Sequence, residues 1–305
     1  MDVCNVNFSR DDDQARSGEE SAHNVSVRSA EGVDAMQGEA HEAVTIVVPC
    51  FNESQRLDSE SFVKLAAVVG IKVLFVDDGS SDDTFSLLTN IASMSESIDV
   101  LRLFDNVGKG EAVRRGFIKA IADSANVIGY LDADLSTPVD ECLRLVEVLY
   151  SNHRIAVVMG SRIKCMGTDI YRHPIRHMMG RVYATGAAIA LGINVYDTQC
   201  GAKVFAVNEL LKSSVTEPFG SRWAFDVRLL NRLLNGTRLL PGLSLDQFVE
   251  VPLKTWRDVP GSTLRLWSGL WAFLELIPIA LSRRKVRERV DNGIQVLDLG
   301  IEGQL

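Results

Sequence analysis

Short apolar runs alternate with segments of helical periodicity through the first half of the folded sequence. Each run is continuously apolar instead of alternating with polar residues, which is typical of strands buried on both faces of a sheet. The runs span residues 44–50, 71–78, 99–104, 126–134 and 154–162. Helical patterns over 61–70, 84–94 and 109–122 lie between them. This alternation predicts an α/β fold with a mixed, mostly parallel sheet flanked by helices.

The regularity decreases after residue 162, where we predict helices near 174–192 and 223–235 and strands near 202–207 and 248–255. Residues 1–43 show no apolar periodicity and carry ten acidic residues against three arginines, so they account for most of the net charge of −8. Such a composition predicts a disordered acidic tail. The segment is too acidic and too polar for a signal peptide or a transit peptide. The expected domains are therefore this tail, a folded domain over 44–260 and a C-terminal region over 261–305.

Polar side chains follow three of the predicted strands at their carboxyl ends. Asn52 and Glu53 follow the first, Asp77 and Asp78 end the second, and Asp132 and Asp134 close the fourth. Ligands of such sheets bind outside the carboxyl ends of the strands. We therefore expect these groups to converge on one crevice.

Asp132 and Asp134 are two residues apart in an extended segment, so their side chains point the same way while Ala133 faces the packing. Carboxylate oxygens are hard ligands, and two of them on one side suit Mg²⁺ or Mn²⁺. Phosphate oxygens of a substrate often complete the coordination shell of these ions. An aspartate-rich turn with solvated carboxylates remains the alternative.

The segment NVGKGEAVRRG (106–116) is a glycine-bearing loop that leads into a helix. It lacks the spacing and the Lys-Ser/Thr pair of a P-loop. Its glycines and basic residues suit a diphosphate at a helix N-terminus, but also suit a basic surface helix. Asp77 and Asp78 similarly fit either a turn and helix cap or an acceptor for a nucleobase N–H.

Taken together and in order, these motifs resemble the inverting family 2 glycosyltransferases of GT-A fold. The motifs are VVPCFNE (47–53), VDDGSSDDT (76–84), NVGKGEAVRRG, DADLSTP (132–138) and GSR (160–162). Three further segments look most like the dolichyl-phosphate β-glucosyltransferase and polyprenyl-phosphate glycosyltransferase branch: YRHPIRHMMGR (171–181), DTQCGAKVF (197–205) and RWAFDVRLL (222–230).

The resemblance implies a role for each matching residue. On the donor side, Pro49, Asn52 and Glu53 line the nucleoside pocket, Asp78 reads the uracil, and Lys109 and Arg115 lie near the diphosphate. Asp134 is the main ligand of Mg²⁺ or Mn²⁺, and Asp132 contacts the ribose or the sugar side and is the second candidate ligand. On the acceptor side, the resemblance assigns the phosphate to Arg162, Arg172, Arg176 and Arg181, and a carboxylate facing the acceptor to Asp226. Asp134, Asp226 and Arg162 are the candidate catalytic residues.

The implied reaction moves glucose from UDP-glucose to a polyprenyl or dolichyl phosphate with inversion. A phosphate monoester is largely ionised at neutral pH, so such an acceptor needs little help from a base. Two other hypotheses stay open: a soluble hydroxyl acceptor with Asp226 as general base, and a non-catalytic module that binds nucleotide sugars. The arginines of 172–181 also fit a solvated helix face, and His173 and His177 fit a metal pair.

A lipid acceptor would require contact with a membrane. Residues 264–281 carry an apolar stripe with Trp267 and Trp271, and five basic residues follow between Arg283 and Arg289. Arg265, Glu275 and Pro278 interrupt this apolar stretch, so we predict no membrane-spanning helix here. We expect an amphipathic helix on an anionic leaflet, with the protein peripheral on the cytosolic face. Packing of this helix on the catalytic core is the alternative. Five cysteines without a CxxC pair also fit a reducing compartment.

Overall fold

A computed structural model describes residues 43–172, 174–221, 224–237, 239–259 and 273–281, with the side chains of 174–176 excepted. Seven strands form the central sheet, in the order β3-β2-β1-β4-β7-β5-β8. They are β1 (Val44–Cys50), β2 (Ile71–Asp78), β3 (Ile98–Leu103), β4 (Val127–Leu131), β5 (Val157–Ser161), β7 (Ala202–Ala206) and β8 (Phe248–Pro252). A small second sheet pairs β6 (Asp169–Tyr171) with β9 (Thr255–Arg257).

The helices flank the sheet and connect its strands. They are α1 (Ser59–Ala66), α2 (Thr84–Ala92), α3 (Lys109–Ala122), α4 (Val139–Tyr150), α5 (Pro174–Leu191), α6 (Glu209–Thr216) and α7 (Phe225–Asn235), and a short 3-10 helix spans Leu245–Gln247. Residues 273–281 are also largely helical. Within the described ranges, no helix combines the length and apolar character needed to cross a membrane.

The sheet is mixed and mostly parallel, which confirms the predicted fold class. Strands β1, β2, β3 and β4 pair in parallel, as do β5 and β8, whereas β7 runs antiparallel to both β4 and β5. The carboxyl ends of β1, β2 and β4 therefore lie along one edge, where the polar clusters of the sequence follow.

The core lies between the sheet and the helices that cover it. Phe117 of α3 packs edge-on against Phe205 of β7, with ring centroids 5.7 Å apart. Gly116 lets α3 approach β1 closely, because a Cβ at this position would overlap the side chain of Val47. This contact lets α3, which begins at Lys109, pack closely on the sheet.

The predicted strand near 248–255 is two strands in different sheets. Proline at position 252 has no N–H to continue the ladder. Beyond it, the N–H groups of Lys254 and Thr255 donate to Oε1 of the buried Glu141, at 3.0 and 3.3 Å. The chain therefore leaves the central sheet at Pro252 and joins β6.

The predicted terminal regions are described only in part. The acidic tail up to residue 42 lies outside the described residues, as do residues 260–272 and 282–305 of the C-terminal region. In the described helical segment 273–281, Leu276 and Ile279 are buried in the main core. One face of this segment thus packs on the folded domain.

Candidate active site

Asp132 and Asp134 lie in a tight turn directly after β4. The N–H of Asp132 donates to the carbonyl of Gly201 at 3.0 Å, and Oδ1 of Asp134 accepts from the N–H of Ser136 at 3.0 Å. Ala133 between them is buried, while both aspartates are partly exposed. The two carboxylates are therefore presented at the carboxyl edge of the sheet.

Gly201 makes room for one of these carboxylates. A Cβ at position 201 would overlap the carboxylate of Asp132. The absence of a side chain thus lets the start of β7 lie directly against Asp132. Any larger residue here would displace that carboxylate.

Lys109, the first residue of α3, lies 2.6 Å from Oδ1 of Asp132 through its Nζ. Its side chain is 43% exposed. Desolvation by the surrounding protein opposes its charge, but the carboxylates of Asp132, Asp226 and Asp134 outweigh that effect and raise the pKa of Lys109. The ammonium group is therefore positively charged at neutral pH. It lies among three acidic side chains that come from two different parts of the chain.

Asp78 anchors the loop that leads to Lys109. Its Oδ1 accepts from the N–H of Val107 at 2.8 Å and its Oδ2 from the N–H of Gly108 at 2.9 Å. The residue is buried. In this structure Asp78 thus positions the N-terminus of α3, and its contact with a uracil stays a prediction.

The loop after β1 is tied to the turn after β2. Asn52 donates its N–H to Oγ of Ser80 at 3.0 Å and accepts from the N–H of Ser81 at 2.9 Å. Glu53 donates its N–H to Oγ1 of Thr84 at 2.7 Å. Pro49 lies beside Val76 in the β1–β2 register. The candidate nucleoside-binding residues are therefore held in one cross-linked surface.

The Glu53 side chain shares the electrostatic field of the two aspartates. Burial is the main effect that raises the pKa of Glu53, and the charges of Asp134 and Asp132 raise it further against the opposing effect of Arg56. Arg56 donates to the Glu53 carboxylate at 2.7 and 2.9 Å. Glu53, Asp132, Asp134 and Lys109 thus form one group, called the carboxylate cluster below.

The carboxylate cluster fits a divalent cation held jointly with a substrate. Among the described residues, no group of three or more His, Cys, Asp or Glu side chains is placed to hold a metal by itself. Asp134 uses Oδ1 for Ser136, and Asp132 is paired with Lys109. A site with so few protein ligands suits Mg²⁺ or Mn²⁺, which takes its remaining ligands from phosphate oxygens and water.

A second group of side chains forms a small pocket beside α5. Its lining includes Arg162, Arg172, Arg181, Tyr196, Asp197 and Gln199. We call it the arginine pocket. The structure thus brings together three of the four arginines that the resemblance assigned to the acceptor. The side chain of the fourth, Arg176, lies outside the described residues, as does His173.

Two of the three arginines have polar partners within the pocket. Arg162 donates from Nε and Nη2 to the carboxylate of Asp197, at 2.6 and 2.8 Å. Arg181 donates to the carbonyl of Tyr196 at 2.5 Å and lies over its ring, 3.7 Å from the centroid. These contacts fix the two guanidinium groups in place.

Among the described residues, Arg172 contacts an aromatic ring and forms no ion pair with an acidic side chain. It lies 5.7 Å from the ring centroid of Trp256, which also faces Arg162. Burial, followed by the positive charge of Arg162, lowers the pKa of Arg172. Three arginines against one aspartate leave this pocket with an excess of two positive charges.

Arg115 is not among the residues that the structure brings together. It lies six positions after Lys109 in α3, on a different face of the helix, because successive residues turn by about 100°. Its side chain is exposed and donates to Glu111 at 3.1 Å. Arg114 is buried instead and donates to the carbonyls of Val215 and Thr216.

A comparison with known protein families identifies the family to which this chain belongs. The sequence profile of glycosyl transferase family 2 matches residues 45–210, which is more than half of the chain. The chain belongs to this family. The matched residues include the whole carboxylate cluster and the whole arginine pocket.

Several curated proteins of similar sequence are dolichyl-phosphate beta-glucosyltransferases. The chain is 28% identical over 267 residues to a dolichyl-phosphate beta-glucosyltransferase of Trichomonas vaginalis, covering 82% of this chain and 75% of that protein. The enzyme of the same name from Homo sapiens is 28% identical over 261 residues, covering 78% and 75%. That from Saccharomyces cerevisiae is 27% identical over 272 residues, covering 81% and 76%. These similarities confirm the predicted branch resemblance, and the chain is a glycosyltransferase.

Solved structures support the GT-A fold. Glucosyl-3-phosphoglycerate synthase from Mycobacterium tuberculosis, in complex with Mn²⁺, UDP and glucosyl-3-phosphoglycerate, superposes with a TM-score of 0.56 at 22% identity. The match covers 83% of this chain and 82% of that one. The same synthase in complex with Mg²⁺ and UDP gives a TM-score of 0.53 at 21% identity.

In this family 2 enzyme, Asp226 is part of a buried network that sequence reasoning missed. Lys203 of β7 donates from Nζ to the hydroxyl of Tyr130 at 2.7 Å and lies 3.2 Å from Oδ2 of Asp226. Tyr130 in turn lies 3.0 Å from the same Oδ2. All three side chains are buried. The available signal was a lone lysine inside the otherwise apolar run AKVFA.

A second missed group holds the arginine pocket in place. Glu250 of β8 accepts from the N–H groups of Tyr196 and Asp197, at 2.9 and 2.7 Å. Residues 196–203, called the connecting segment below, thus begin at the arginine pocket. They end at Gly201 and Lys203, next to the carboxylate cluster. No local motif marks Glu250, because its partners lie more than fifty positions earlier.

The Arg162–Asp197 pair predicts a pH dependence of stability. Burial opposes ionisation of Asp197, but Arg162 and then Lys203 outweigh it and hold its pKa well below the usual value. A lowered pKa in the folded state stabilises the protein above the unfolded-state pKa of about 3.9, and this contribution is lost as pH falls below that value. We expect the free energy of unfolding in urea to decrease between pH 5 and pH 3.

An Asp197→Asn enzyme tests this assignment. It should be less stable at neutral pH, because Arg162 is left buried without its counter-charge, and should show a flatter acid dependence. Asp169→Asn, which alters an exposed pair with Arg257, is the control and should keep the wild-type slope. An unchanged slope in Asp197→Asn would contradict the prediction.

Proposed function

We propose that this enzyme transfers glucose from UDP-glucose to a polyprenyl or dolichyl phosphate with inversion at the anomeric carbon. The observation that carries the proposal is the arginine pocket, which joins the carboxylate cluster through the connecting segment. Its excess of two positive charges matches a phosphate monoester dianion. The names of the curated relatives support the same acceptor and the same sugar.

The carboxylate cluster is the proposed donor site. Lys109 at the N-terminus of α3 would bind the diphosphate, since both its ammonium group and the helix N-terminus favour anions. Asp134, with Asp132, would hold Mg²⁺ or Mn²⁺, and the bound ion would supply positive charge to neutralise the charge that grows on the leaving diphosphate. Glu53 and Asn52 would line the nucleoside side. UDP-glucose and Mn²⁺ are bound in structural neighbours.

The nucleophile in this proposal is an oxygen of the acceptor phosphate. It is already ionised at neutral pH, so alignment and charge neutralisation matter more than proton removal. Arg172, which has no acidic partner among the described residues, would bind the phosphate directly. Arg162 and Arg181, fixed by Asp197 and Tyr196, would complete the site.

The geometry around Asp226 disfavours the alternative of a hydroxyl acceptor. A general base must reach the proton that it removes. Oδ2 of Asp226 instead contacts Lys203 and Tyr130 in a buried network. We therefore assign Asp226 a structural and electrostatic role. The enzyme would work as a peripheral protein at the cytosolic face of a membrane, where a lipid phosphate is accessible.

A transfer assay tests the proposal. UDP-glucose, UDP-galactose and GDP-mannose would each be combined with a short-chain, water-soluble polyprenyl phosphate or with simple alcohols, with and without Mn²⁺. We expect UDP release and product only with UDP-glucose, the phosphate acceptor and the metal. Transfer to alcohols alone would favour the hydroxyl alternative, and absence of UDP release in every combination would favour a non-catalytic module.

The Arg172→Ala enzyme tests the assignment of the arginine pocket. Loss of a charge-assisted contact to a phosphate should raise the KM for the polyprenyl phosphate by about 10-fold to 100-fold. The KM for UDP-glucose should change less than about twofold, because Arg172 lies outside the donor site. Arg115→Ala is the matched control and should leave both KM values unchanged. A selective rise in the UDP-glucose KM would move the pocket to the donor side.

A further inference from the structure

Arg172 enters the arginine pocket from the end of the second sheet. It follows Tyr171, the last residue of β6, whose carbonyl accepts from the N–H of Asp258 at 3.2 Å. In the register of this sheet, Ile170 lies opposite Trp256 of β9. The backbone that carries Arg172 is therefore paired with the strand that carries Trp256.

Trp256 is a buried residue that connects two groups of side chains. It forms a small apolar cluster with Ile170, Cys200 and Leu253. Its ring also faces two guanidinium groups, with the central carbons of Arg162 and Arg172 at 5.3 and 5.7 Å from the ring centroid. A guanidinium within about 6 Å of a tryptophan ring is attracted by its π electrons, and more strongly where water is excluded.

The two arginines depend on this ring to different degrees. Arg162 is also held by two hydrogen bonds to the carboxylate of Asp197, at 2.6 and 2.8 Å. Arg172 forms no such ion pair in the described part of the chain, so the contact with Trp256 contributes more to its direction. An aromatic ring orients a guanidinium without neutralising it, so the charge of Arg172 stays available for an anion.

Gly180 of α5 leaves space for the same guanidinium. A Cβ at this position would lie 3.1 Å from Nη2 of Arg172, which is a tight contact. Gly180 lies inside α5, where glycine costs stability relative to alanine. Alanine here would therefore favour the helix but would displace the end of Arg172. The arginine, and not the helix, explains the glycine.

We propose that Trp256 and Gly180 are positioning residues for Arg172, which together hold its guanidinium in the direction that binds the acceptor phosphate. This inference rests on the proposed function, in which Arg172 binds that phosphate directly. Neither residue would contact the acceptor phosphate itself. Their effect on transfer would pass through Arg172.

Acceptor kinetics of the full-length enzyme test the role of Trp256. In Trp256→Leu, the KM for the water-soluble polyprenyl phosphate should rise by about 3-fold to 10-fold, because Arg172 loses its aromatic contact. The kcat and the KM for UDP-glucose should stay within about twofold of the wild type. Trp256→Phe keeps an aromatic ring and should recover most of the loss.

Phe219→Leu is the control for the loss of a buried ring. Phe219 is buried like Trp256 and also faces an arginine, since the central carbon of Arg232 lies 5.3 Å from its ring centroid. This substitution should lower the stability of the fold, as expected for a cavity in a core. It should leave the KM for the polyprenyl phosphate unchanged.

A double variant shows whether Trp256 acts through Arg172. Because the guanidinium is already absent in Arg172→Ala, adding Trp256→Leu should raise the acceptor KM by less than about twofold further. A further rise as large as that in the wild-type background would overturn the positioning role. Equal changes in kcat and in both KM values would overturn it as well, since they would indicate a general disturbance of the fold.

Gly180→Ala tests the same role without a loss of stability. The midpoint of urea unfolding should stay the same or rise, because alanine favours the helix. The acceptor KM should nevertheless rise by at least about twofold, because the guanidinium must leave its preferred position. Gly186→Ala, in the same helix but against Phe273 and Leu276, is the control and should leave that KM unchanged.

Two outcomes separate this inference from the proposed function. An acceptor KM that is unchanged in either Trp256→Leu or Gly180→Ala, with transfer to the phosphate intact, would overturn the positioning role alone. A wild type that transfers glucose to no phosphate acceptor would refute the proposed function, and the positioning role with it.

Discussion

The Asp134→Asn enzyme is expected to lose at least about a thousandfold in kcat, since removal of one group that stabilises transition-state charge costs about 100-fold to 1,000-fold even without loss of a metal. Asparagine keeps an Oδ1 that can accept from the N–H of Ser136, so the turn after β4 is preserved. Only the negative charge at the proposed binding site of the leaving diphosphate is removed. Single-turnover transfer rates with saturating UDP-glucose and Mn²⁺ would measure the effect.

Two comparisons make this result specific. Asp140→Asn alters an exposed aspartate in the first turn of α4 and should keep the wild-type kcat. Thermal unfolding of Asp134→Asn should match that of the wild type, so that the lost rate reflects chemistry and not folding. A kcat within tenfold of the wild type would remove Asp134 from the metal site.

The Lys203→Met enzyme should lose about 3–5 kcal/mol of unfolding free energy, because it leaves Asp226 buried without its counter-charge. The methionine side chain matches the length of the lysine stem but cannot donate to Tyr130, to the carbonyl of Cys200 or to Asp226. A loss of this size is a large part of the unfolding free energy of a typical domain. Urea denaturation followed by circular dichroism would measure it.

Lys212→Met provides the control, since Lys212 forms an exposed pair with Glu209 and should change stability by less than about 1 kcal/mol. Adding Asp226→Asn to Lys203→Met removes the uncompensated charge and should restore part of the lost stability. If Asp226→Asn lowered the unfolding free energy of Lys203→Met by as much as it lowers that of the wild type, the two residues would be independent, and the predicted coupling between them would be wrong.

The central sheet was predictable because its strands are buried on both faces. Runs such as VTIVVPC and IKVLFVDD leave little choice other than an interior strand, and the helices between them impose parallel connections. The polar residues that follow these strands must then share one edge. For this reason, the gathering of Glu53, Asp132 and Asp134 could be expected before any coordinates, whereas the place of Lys109 was implied by the family resemblance.

The remaining parts of the site depend on contacts between distant positions. Lys203 meets Asp226 and Tyr130 only after β7 has inserted antiparallel between β4 and β5. Glu250 meets residues 196 and 197 across the edge of the same sheet. Neither partnership has a local signature. Such pairs follow from strand order, which the periodicity of the chain leaves undetermined.

The arginines could be identified as candidate binding residues from the sequence, because their charge is known. The direction in which each side chain points, and therefore its partner, could not be predicted. Arg115 was expected near the diphosphate and instead pairs with Glu111 on the exposed side of α3. Arg162 was expected at the acceptor and also serves as the partner of Asp197. The position of Arg115 around the helix axis decides the first outcome, and the distant carboxylate of Asp197 decides the second.

The connecting segment has a consequence for motion within the enzyme. Glu250 holds its first residues, while Lys203 anchors its end. A shift of this stretch would move the counter-ion of Arg162 and the glycine beneath Asp132 in the same step. In the proposed reaction, this one short piece of backbone would keep nucleophile and leaving group in mutual alignment, and we expect the movements of the two half-sites to be correlated.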